Sequence, residues 1–430
     1  MVHDAAIPAG IEPVYTAAER QGIYYSAAMW TPDLLELLAL DLQISGRDSL
    51  AQIPGRALLD AWCETLAVFR DPGSAERQTL DPVLPRLCQL SPAGLEAGLE
   101  SVLGGVDRDS ASKLQRQADG WTSENSRSPL VILSLAANLP ALAVQPLLPA
   151  LLLRCPVILK SPSSEPLFAP AFVNALTERL PALKPALAAI TWKGGDISLE
   201  APLFSVADRI LAYGDAETVA DLESRAPERV FAYGPKTSLA LMSDQAEPTI
   251  VAAGLARDIA LFDQRGCLSI QAVFTTDDPN PLARGIAVEL DRLAERWPPG
   301  PIDPVAAAGV QQVRMEAALR GLTVADTPLR TGTVVIEPEA RFQPGPGLRT
   351  VRIHPLASME QLPEILMDWS GQLQGAALAG DSAWQLCPRL TELGISHFAA
   401  PGELQTPDAT WHNGGVHPFT ALTGDELRDD

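Results

Sequence analysis

Lysine is nearly absent from this 430-residue chain: Lys113, Lys160, Lys184, Lys193 and Lys236 are the only five, and the other 27 of the 32 basic residues are arginine. Against 53 acidic residues this leaves a formal charge of −21. Nucleic acid and anionic membrane surfaces both require a basic face, so neither is an expected partner. A polyanionic ligand would need a local basic exception.

Cysteine is scarce as well. Cys63, Cys88, Cys155, Cys267 and Cys387 are odd in number, far apart and without CxxC or Cys/His ligand spacing, which argues against a disulfide framework, a structural zinc or any other metal. The beginning, MVHDAAIPAGIEP, lacks the basic and apolar stretches of a secretory signal, and a reducing cytoplasm is the expected location. One uncharged run, Ser128 to Leu153, has the length of a membrane span. Pro140, Pro146 and Pro149 count against a spanning helix, and Asn138 and Gln145 add polar cost. The run reads as a buried strand, a turn and a buried helix, with no membrane insertion.

With 47% apolar and 20% charged residues the composition is globular throughout, and the length predicts two packed domains sharing a cleft. Residues up to about 128 read as helices, with Thr31 and Asp33 at one helix start. Gly120 to Pro129 is a polar loop. Strand-like runs follow, LVILSL, PVILK, AAITW, RILAY and RVFAY, most of them separated by helical stretches, the signature of βαβ units and a mostly parallel sheet. After Lys236 a second set appears, SLALM, IQAVFTT, GTVVIEP and RTVRIHPL, with helical segments between, indicating a second α/β domain. WPPGPIDP and FQPGPG are turns within it. A strand-like ISHFAA precedes a tail that ends in an acidic stretch.

Cys267 lies in FDQRGCLSIQAVF, after Gly266 and at the entrance to a strand, where a glycine permits close backbone approach. Beside Arg265 such a thiol would have a lowered pKa and act as a nucleophile; the same residue also reads as a small buried hydrophobe.

Taken in order, SLAANLPALAVQPLLPALLLRCPVILKSPSSEP, GDAETV, FAYGPKTSLALM and FDQRGCLSIQAVF resemble the aldehyde dehydrogenase superfamily. Within it the chain is most similar to the acyl-CoA reductases named for the fatty-acid reductase of bacterial luminescence, GPKTSLALM and DQRGCLS carrying that likeness. The resemblance covers Ser128 to Phe274 best. It implies an α/β fold with a Rossmann-type cofactor domain and a second α/β catalytic domain. Residues 1–235 would form the helical N-terminal region and dinucleotide-binding domain, 236–398 the catalytic domain, and 399–430 a segment packing back near the cleft.

The resemblance makes Cys267 the catalytic nucleophile and Asn138, otherwise a turn residue ahead of a proline, an oxyanion donor beside the cysteine N–H. It brings Lys160 to the adenosine ribose of a nicotinamide cofactor. Three residues on, where NAD-preferring relatives often carry a glutamate, stands Ser163. A hydroxyl tolerates a 2′-phosphate, which favours NADPH, while Glu165 nearby keeps NADH open. Gly195 in WKGGD is a close-approach residue. Gly214, with Thr218 in the following helical turn, would lie at the pyrophosphate, and Asp215, where the family usually has serine, would cap the helix instead.

Hydrolytic relatives carry a glutamate two residues before the first glycine of FAYGPK; this chain has Ala232. A second glutamate has no match around EPEARFQPGPG. Without a general base for water, the implied reaction is reduction of an acyl thioester, from coenzyme A or an acyl-carrier protein, to an aldehyde. An acyl-phosphate reductase of the same fold and a catalytically silent carrier-protein-binding scaffold are the alternatives. His412 and His417 in WHNGGVHPF read as part of a glycine-rich loop, or as pocket lining by analogy with the family. A homo-oligomer is expected by analogy, since relatives are often dimers or tetramers.

Overall fold

The uncharged run folds as a strand, a turn and a helix. In the computed structural model, which describes residues 2–121, 128–243, 246–302, 304–325 and 329–424, strand Val131–Ser134 leads through a turn into the helix Val144–Leu152. That helix contains Pro149, which costs about 3 kcal/mol in a helix interior. Leu147, Leu148 and Leu151 are buried to 1% exposure or less, each contributing about 1.5–3 kcal/mol, so burial outweighs the proline. No helix among the described residues is long and apolar enough to cross a membrane.

The strands are β1 Val14–Arg20, β2 Ile23–Met29, β3 Val131–Ser134, β4 Val157–Ser161, β5 Leu187–Thr191, β6 Arg209–Tyr213, β7 Val230–Tyr233, β8 Thr237–Met242, β9 Ile270–Thr275, β10 Thr323–Ala325, β11 Thr333–Ile336, β12 Thr350–Pro355, β13 Leu373–Ala379 and β14 His397–Ala399. β3 to β7 form a parallel five-stranded sheet in the order β5-β4-β3-β6-β7. A seven-stranded sheet runs β10-β11-β12-β9-β8-β13-β14, parallel except for the β10–β11 pair. Both sheets are covered on both faces. Val131 and Leu133 join one core while Ile132 and Ile158 join another, and Ala240 and Val273 face one core while Leu239 and Phe274 face the next. Two-sided burial is why these strands read as continuous apolar runs.

Two expectations need correction. The first 128 residues are not all helical: β1 and β2 form an antiparallel hairpin whose turn residues Gln21 and Gly22 have φ of 51° and 73°, the left-handed pair of a tight hairpin turn. Gln-Gly between two runs of mixed polarity is a weak signal, and β1 is largely exposed. β13 also escaped the sequence reading, although it is buried along its whole length beside β8. Its Gly375 and three alanines have low strand propensity, and tertiary packing overrides that. A Cβ on Gly375 would come within 2.9 Å of Leu268 and 3.0 Å of the Ser238 Oγ, so the backbone passes against the loop that carries Cys267. The expected Thr31 cap is present, its Oγ1 accepting from the Leu34 N–H at 3.3 Å. Residues 122–127 of the expected polar loop, residue 303 of the proline-rich turn and the acidic end, 425–430, lie outside the described residues.

In the five-stranded sheet the order reverses between β3 and β6. The crevice outside the carboxyl ends of strands at such a reversal is the preferred ligand position of open α/β sheets. Asn138 follows β3 and Gly214 follows β6, one on each side of it.

Candidate active site

A cavity of about 490 Å³ opens where this edge meets the amino-terminal edge of the seven-stranded sheet, and Cys267, Asn138, Gly214, Lys236 and Trp411 are among the residues that line it. Cys267 is aimed into it by an unusual backbone. Phe262, Asp263 and Gln264 have φ of 53°, 50° and 64°, three consecutive left-handed residues that each cost about 1–3 kcal/mol.

Side chains over-determine this turn. Asp263 accepts from Arg349 at 2.8 Å and from the Gly300 N–H at 2.9 Å. The Gln264 amide donates to the carbonyls of Ile270 and Thr350 at 2.6 and 2.8 Å and accepts from the Thr350 N–H at 2.7 Å. Asp263, Gln264 and Arg349 are all buried, so breaking any of them leaves an unsatisfied group in the core.

The thiol is not activated in the way its neighbour suggests. Arg265 turns away, donating to the carbonyls of Cys88 and Gln89 at 2.8 and 3.0 Å. Burial pushes the Cys267 thiol up to about 11; the backbone N–H groups of Cys267 and Leu268 and the Lys236 cation pull in the other direction. The lowered pKa expected from Arg265 is therefore overturned, and the cation that faces Cys267 is Lys236. The Lys236 ammonium also donates to the Gly371 carbonyl.

Asn138 donates from Nδ2 to the Arg265 carbonyl at 3.3 Å, and its Oδ1 is buried without a partner. An amide nitrogen carries two donors, so one N–H remains for the cavity. Tyr213 and Tyr233, which the sequence reading did not single out, stack with ring centroids 4.5 Å apart and line the same cavity. Ala232 lies in β7 opposite Ala212, and it is Tyr233, one residue on, that reaches the cavity. Among the described residues lining it the one carboxylate is Asp215, and no histidine is present. Asp215 Oδ1 accepts from the Thr218 N–H at 2.8 Å, capping the helix Ala216–Arg225 as expected; that bond holds its carboxyl below the usual range.

Lys160, Ser163, Gly195 and Thr218 do not line the cysteine cavity; they follow or end β4, β5 and β6 beside it. The Lys160 ammonium sits 5.8 Å from the centre of the Trp192 ring. Burial lowers its pKa, and Glu200 opposes that shift. Glu200 gave no signal in the sequence, yet at 3% exposure it accepts from Trp192 Nε1 at 3.1 Å, the Gly195 N–H at 3.3 Å and Arg225 at 2.6 Å. It fixes the Trp192–Gly195 loop, in which Gly195 has φ of 81° and open space where a Cβ would stand. A Cβ on Gly214 would instead meet Thr218 at 3.0 Å, so that glycine permits close packing of strand end on helix.

Ser163 is half-buried in the turn after β4. Glu165 points inward, its Oε1 accepting from the N–H groups of Leu167 and Phe168 at 2.8 and 2.9 Å at the start of the helix Phe168–Arg179, and burial pushes it up to about 8. His417 stacks on Trp121 at 5.1 Å and accepts from the Phe419 N–H at 3.2 Å, with burial and His412 pushing it down to about 4. Neither His412 nor His417 lines the cysteine cavity, although Trp411 and Asn413 do. No metal-binding cluster occurs among the described residues.

The family model described as Acyl-CoA reductase (LuxC) matches residues 75–424. No curated protein matches the chain. Among solved structures, an oxidoreductase from Marinobacter aquaeolei is similar with a TM-score of 0.71 at 13% identity, over 93% of this chain and 90% of that one. A salicylaldehyde dehydrogenase from Pseudomonas putida G7 reaches 0.71 at 14% identity, over 97% and 93%. An NADP-dependent glyceraldehyde-3-phosphate dehydrogenase from Bacillus halodurans C-125 reaches 0.62 at 16%, over 91% and 87%.

Proposed function

The chain belongs to the acyl-CoA reductase (LuxC) family and has the aldehyde dehydrogenase fold, and from that premise we propose that it reduces an acyl thioester to an aldehyde through an acyl-Cys267 intermediate, with NADPH as hydride donor. The observation that carries this reading is the makeup of the cysteine cavity. Cys267 and Asn138 share it, and its one carboxylate among the described residues, Asp215, is held by a helix N-terminus.

The Cys267 sulfur attacks the thioester carbonyl. The free amide N–H of Asn138 and the backbone N–H of Cys267 stabilise the oxyanion, a contribution of about 3–4 kcal/mol per donor in comparable sites. The substrate thiol leaves with the proton that Cys267 gave up. A nicotinamide cofactor held by the residues at the ends of β4 to β6 would supply the hydride that the acyl carbonyl carbon needs, and the C–S bond to Cys267 would then break. One thioester, one hydride and one proton give one aldehyde and one free thiol, and Cys267 ends as a thiol. With no unengaged carboxylate or imidazole among the described residues that line the cavity, water lacks a general base, so the acyl group waits for hydride.

The residues at the ends of β4 to β6 fit an extended dinucleotide. Lys160, Ser163 and Gly195 take the adenosine end, Gly195 leaving open space; Gly214 and Thr218 take the pyrophosphate side, with Thr218 acting through its packing because Asp215 holds its N–H. Residues 1–235 would then be the cofactor half, 236–398 the catalytic half, and 399–430 a returning segment that brings Trp411 and Asn413 to the cavity. The inward turn of Glu165 and the pairing of Glu200 with Arg225 leave neither carboxylate to repel a 2′-phosphate, which favours NADPH. The test is thioester-dependent oxidation of NADPH by the purified protein, with NADH in parallel. The reading expects aldehyde as product and no turnover by Cys267→Ala. Full activity of that variant would sink the mechanism.

A further inference from the structure

Two bulges interrupt the seven-stranded sheet beside the cysteine cavity, one on each side of β8. While β8 advances from Ser238 to Leu239, β9 advances from Ile270 to Ala272, so Gln271 is the extra residue. While β8 advances from Thr237 to Leu239, β13 advances from Leu373 to Ala376, and its excess falls at Gln374 and Gly375. A bulge takes a residue out of the ladder and re-aims its side chain. Gln271 and Gln374 stand at the same level of the sheet, and both line the cavity that holds Cys267. Only β8 separates their strands, which puts the two backbones about 10 Å apart, close enough for both amides to serve one small ligand.

The protein leaves these amides incompletely paired. Gln374 is fully buried; its Nε2 donates to the Asn413 Oδ1 at 2.8 Å, while its Oε1 is buried without a partner. The Gln271 Oε1, the Gln145 Oε1 and the Trp411 Nε1 are buried without partners as well, and all three residues line the cavity. Its charged residues among those described are engaged elsewhere: Asp215 caps a helix, Lys236 donates to the Gly371 carbonyl, and Arg265 donates to the carbonyls of Cys88 and Gln89. The groups left to meet a ligand are therefore uncharged amides and an indole N–H. A hydrocarbon would leave them unmet, which buried polar groups disfavour. A carboxylate offers acceptors alone, whereas a hydroxyl both donates and accepts and so suits an amide by either end.

Resting on the thioester reading, we propose that Gln271 and Gln374 recognise a hydroxyl on the acyl chain, so that the substrate is a hydroxyacyl thioester and not a plain fatty-acyl one. A site built to hydrogen-bond a substrate hydroxyl rejects the analogue that lacks it, because its buried amides are then left unpaired, while an added or missing methylene discriminates far less. Leu139, Leu142 and Phe262, which line the cavity too, cover the methylenes of the chain.

The test compares thioesters of butanoate, 2-hydroxybutanoate, 3-hydroxybutanoate, succinate and octanoate, on coenzyme A and in parallel on an acyl-carrier protein, read as kcat/KM for aldehyde formation. The better hydroxybutanoyl thioester should exceed butanoyl and octanoyl by about tenfold or more, the size of one hydrogen bond. Gln374→Met and Gln271→Met, which nearly conserve volume, should each narrow that ratio by slowing the hydroxyacyl substrate. A merely structural role would lower all five rates together and leave the ratio unchanged. Equal use of butanoyl and hydroxybutanoyl thioesters, a preference for octanoyl or succinyl, or a ratio that survives both substitutions overturns the proposal while leaving thioester reduction intact. Failure to reduce any of the five on either carrier overturns the thioester reading, and this inference with it.

Discussion

Cys267 is a half-buried residue whose thiol is held protonated at neutral pH by the desolvation around it, and its reactivity depends on what opposes that desolvation. With a pKa pushed up to about 11, alkylation of the free enzyme should speed up about tenfold per pH unit between pH 7 and 10, because only the thiolate reacts. A plateau near pH 8 would mean that the site lowers the pKa instead. Lys236 is the facing cation, so Lys236→Met should raise the pKa further and slow alkylation at pH 9; an unchanged rate would remove Lys236 from the account. Asn138→Ala should cost about 10²–10³ in kcat with little change in KM for the thioester. Lys160→Ala should raise KM for NADPH by about tenfold, the loss of one charged contact. Cys267 stood out as the candidate nucleophile through the order of four motifs, since its neighbour Arg265 pointed to the wrong cause of activation. Glu200, Tyr213 and Tyr233 were not legible, because a buried carboxylate and a stacked tyrosine pair have no local spacing rule; only the fold brings them to the site.

At the level of elements, the strained turn Phe262–Gln264 and β13 hold Cys267 from two directions. The Ser238 Oγ donates to the Cys267 carbonyl at 2.7 Å, and Gly375 packs against both Ser238 and Leu268. Gly375→Ala should therefore displace the cysteine loop, lowering kcat in larger proportion than it lowers melting temperature; loss of stability with unchanged kcat would contradict this. Arg349→Met should destabilise by about 3–5 kcal/mol, because Asp263 would remain buried and unpaired. β3 to β7 were legible because two-sided burial leaves continuous apolar runs. The hairpin and β13 were not: β1 buries too little to alternate, and β13 is built of small residues demanded by what it packs against.

Across the whole molecule, several carboxyl groups titrate late. Glu165 is raised to about 8, Asp258 to about 7 and Asp4 to about 6, each chiefly by burial. A raised folded-state pKa gives stability that is complete below the unfolded value and is lost as pH climbs through the folded value. Stability should therefore fall from about pH 5 to pH 8, and the negative charge of the chain adds self-repulsion in the same direction. Glu165→Gln keeps an acceptor for the Leu167 and Phe168 N–H groups and should flatten the decline in melting temperature between pH 5 and 8. An equal slope in the variant would assign the trend elsewhere. The two-sheet architecture and the cleft between the sheets were legible from alternating strands and helices, whereas the full lining of the cysteine cavity was not, since it draws on residues as far apart in the chain as Val102, Tyr213 and Trp411.

The central claim is that an acyl group rests on Cys267 until hydride arrives. Intact-mass measurement of the protein mixed with an acyl thioester and no nicotinamide cofactor tests it most directly. The account predicts one acyl adduct, mapped to Cys267, that persists against water and is discharged as aldehyde when NADPH is added. Absence of an adduct, or its steady release as free acid without cofactor, would contradict it.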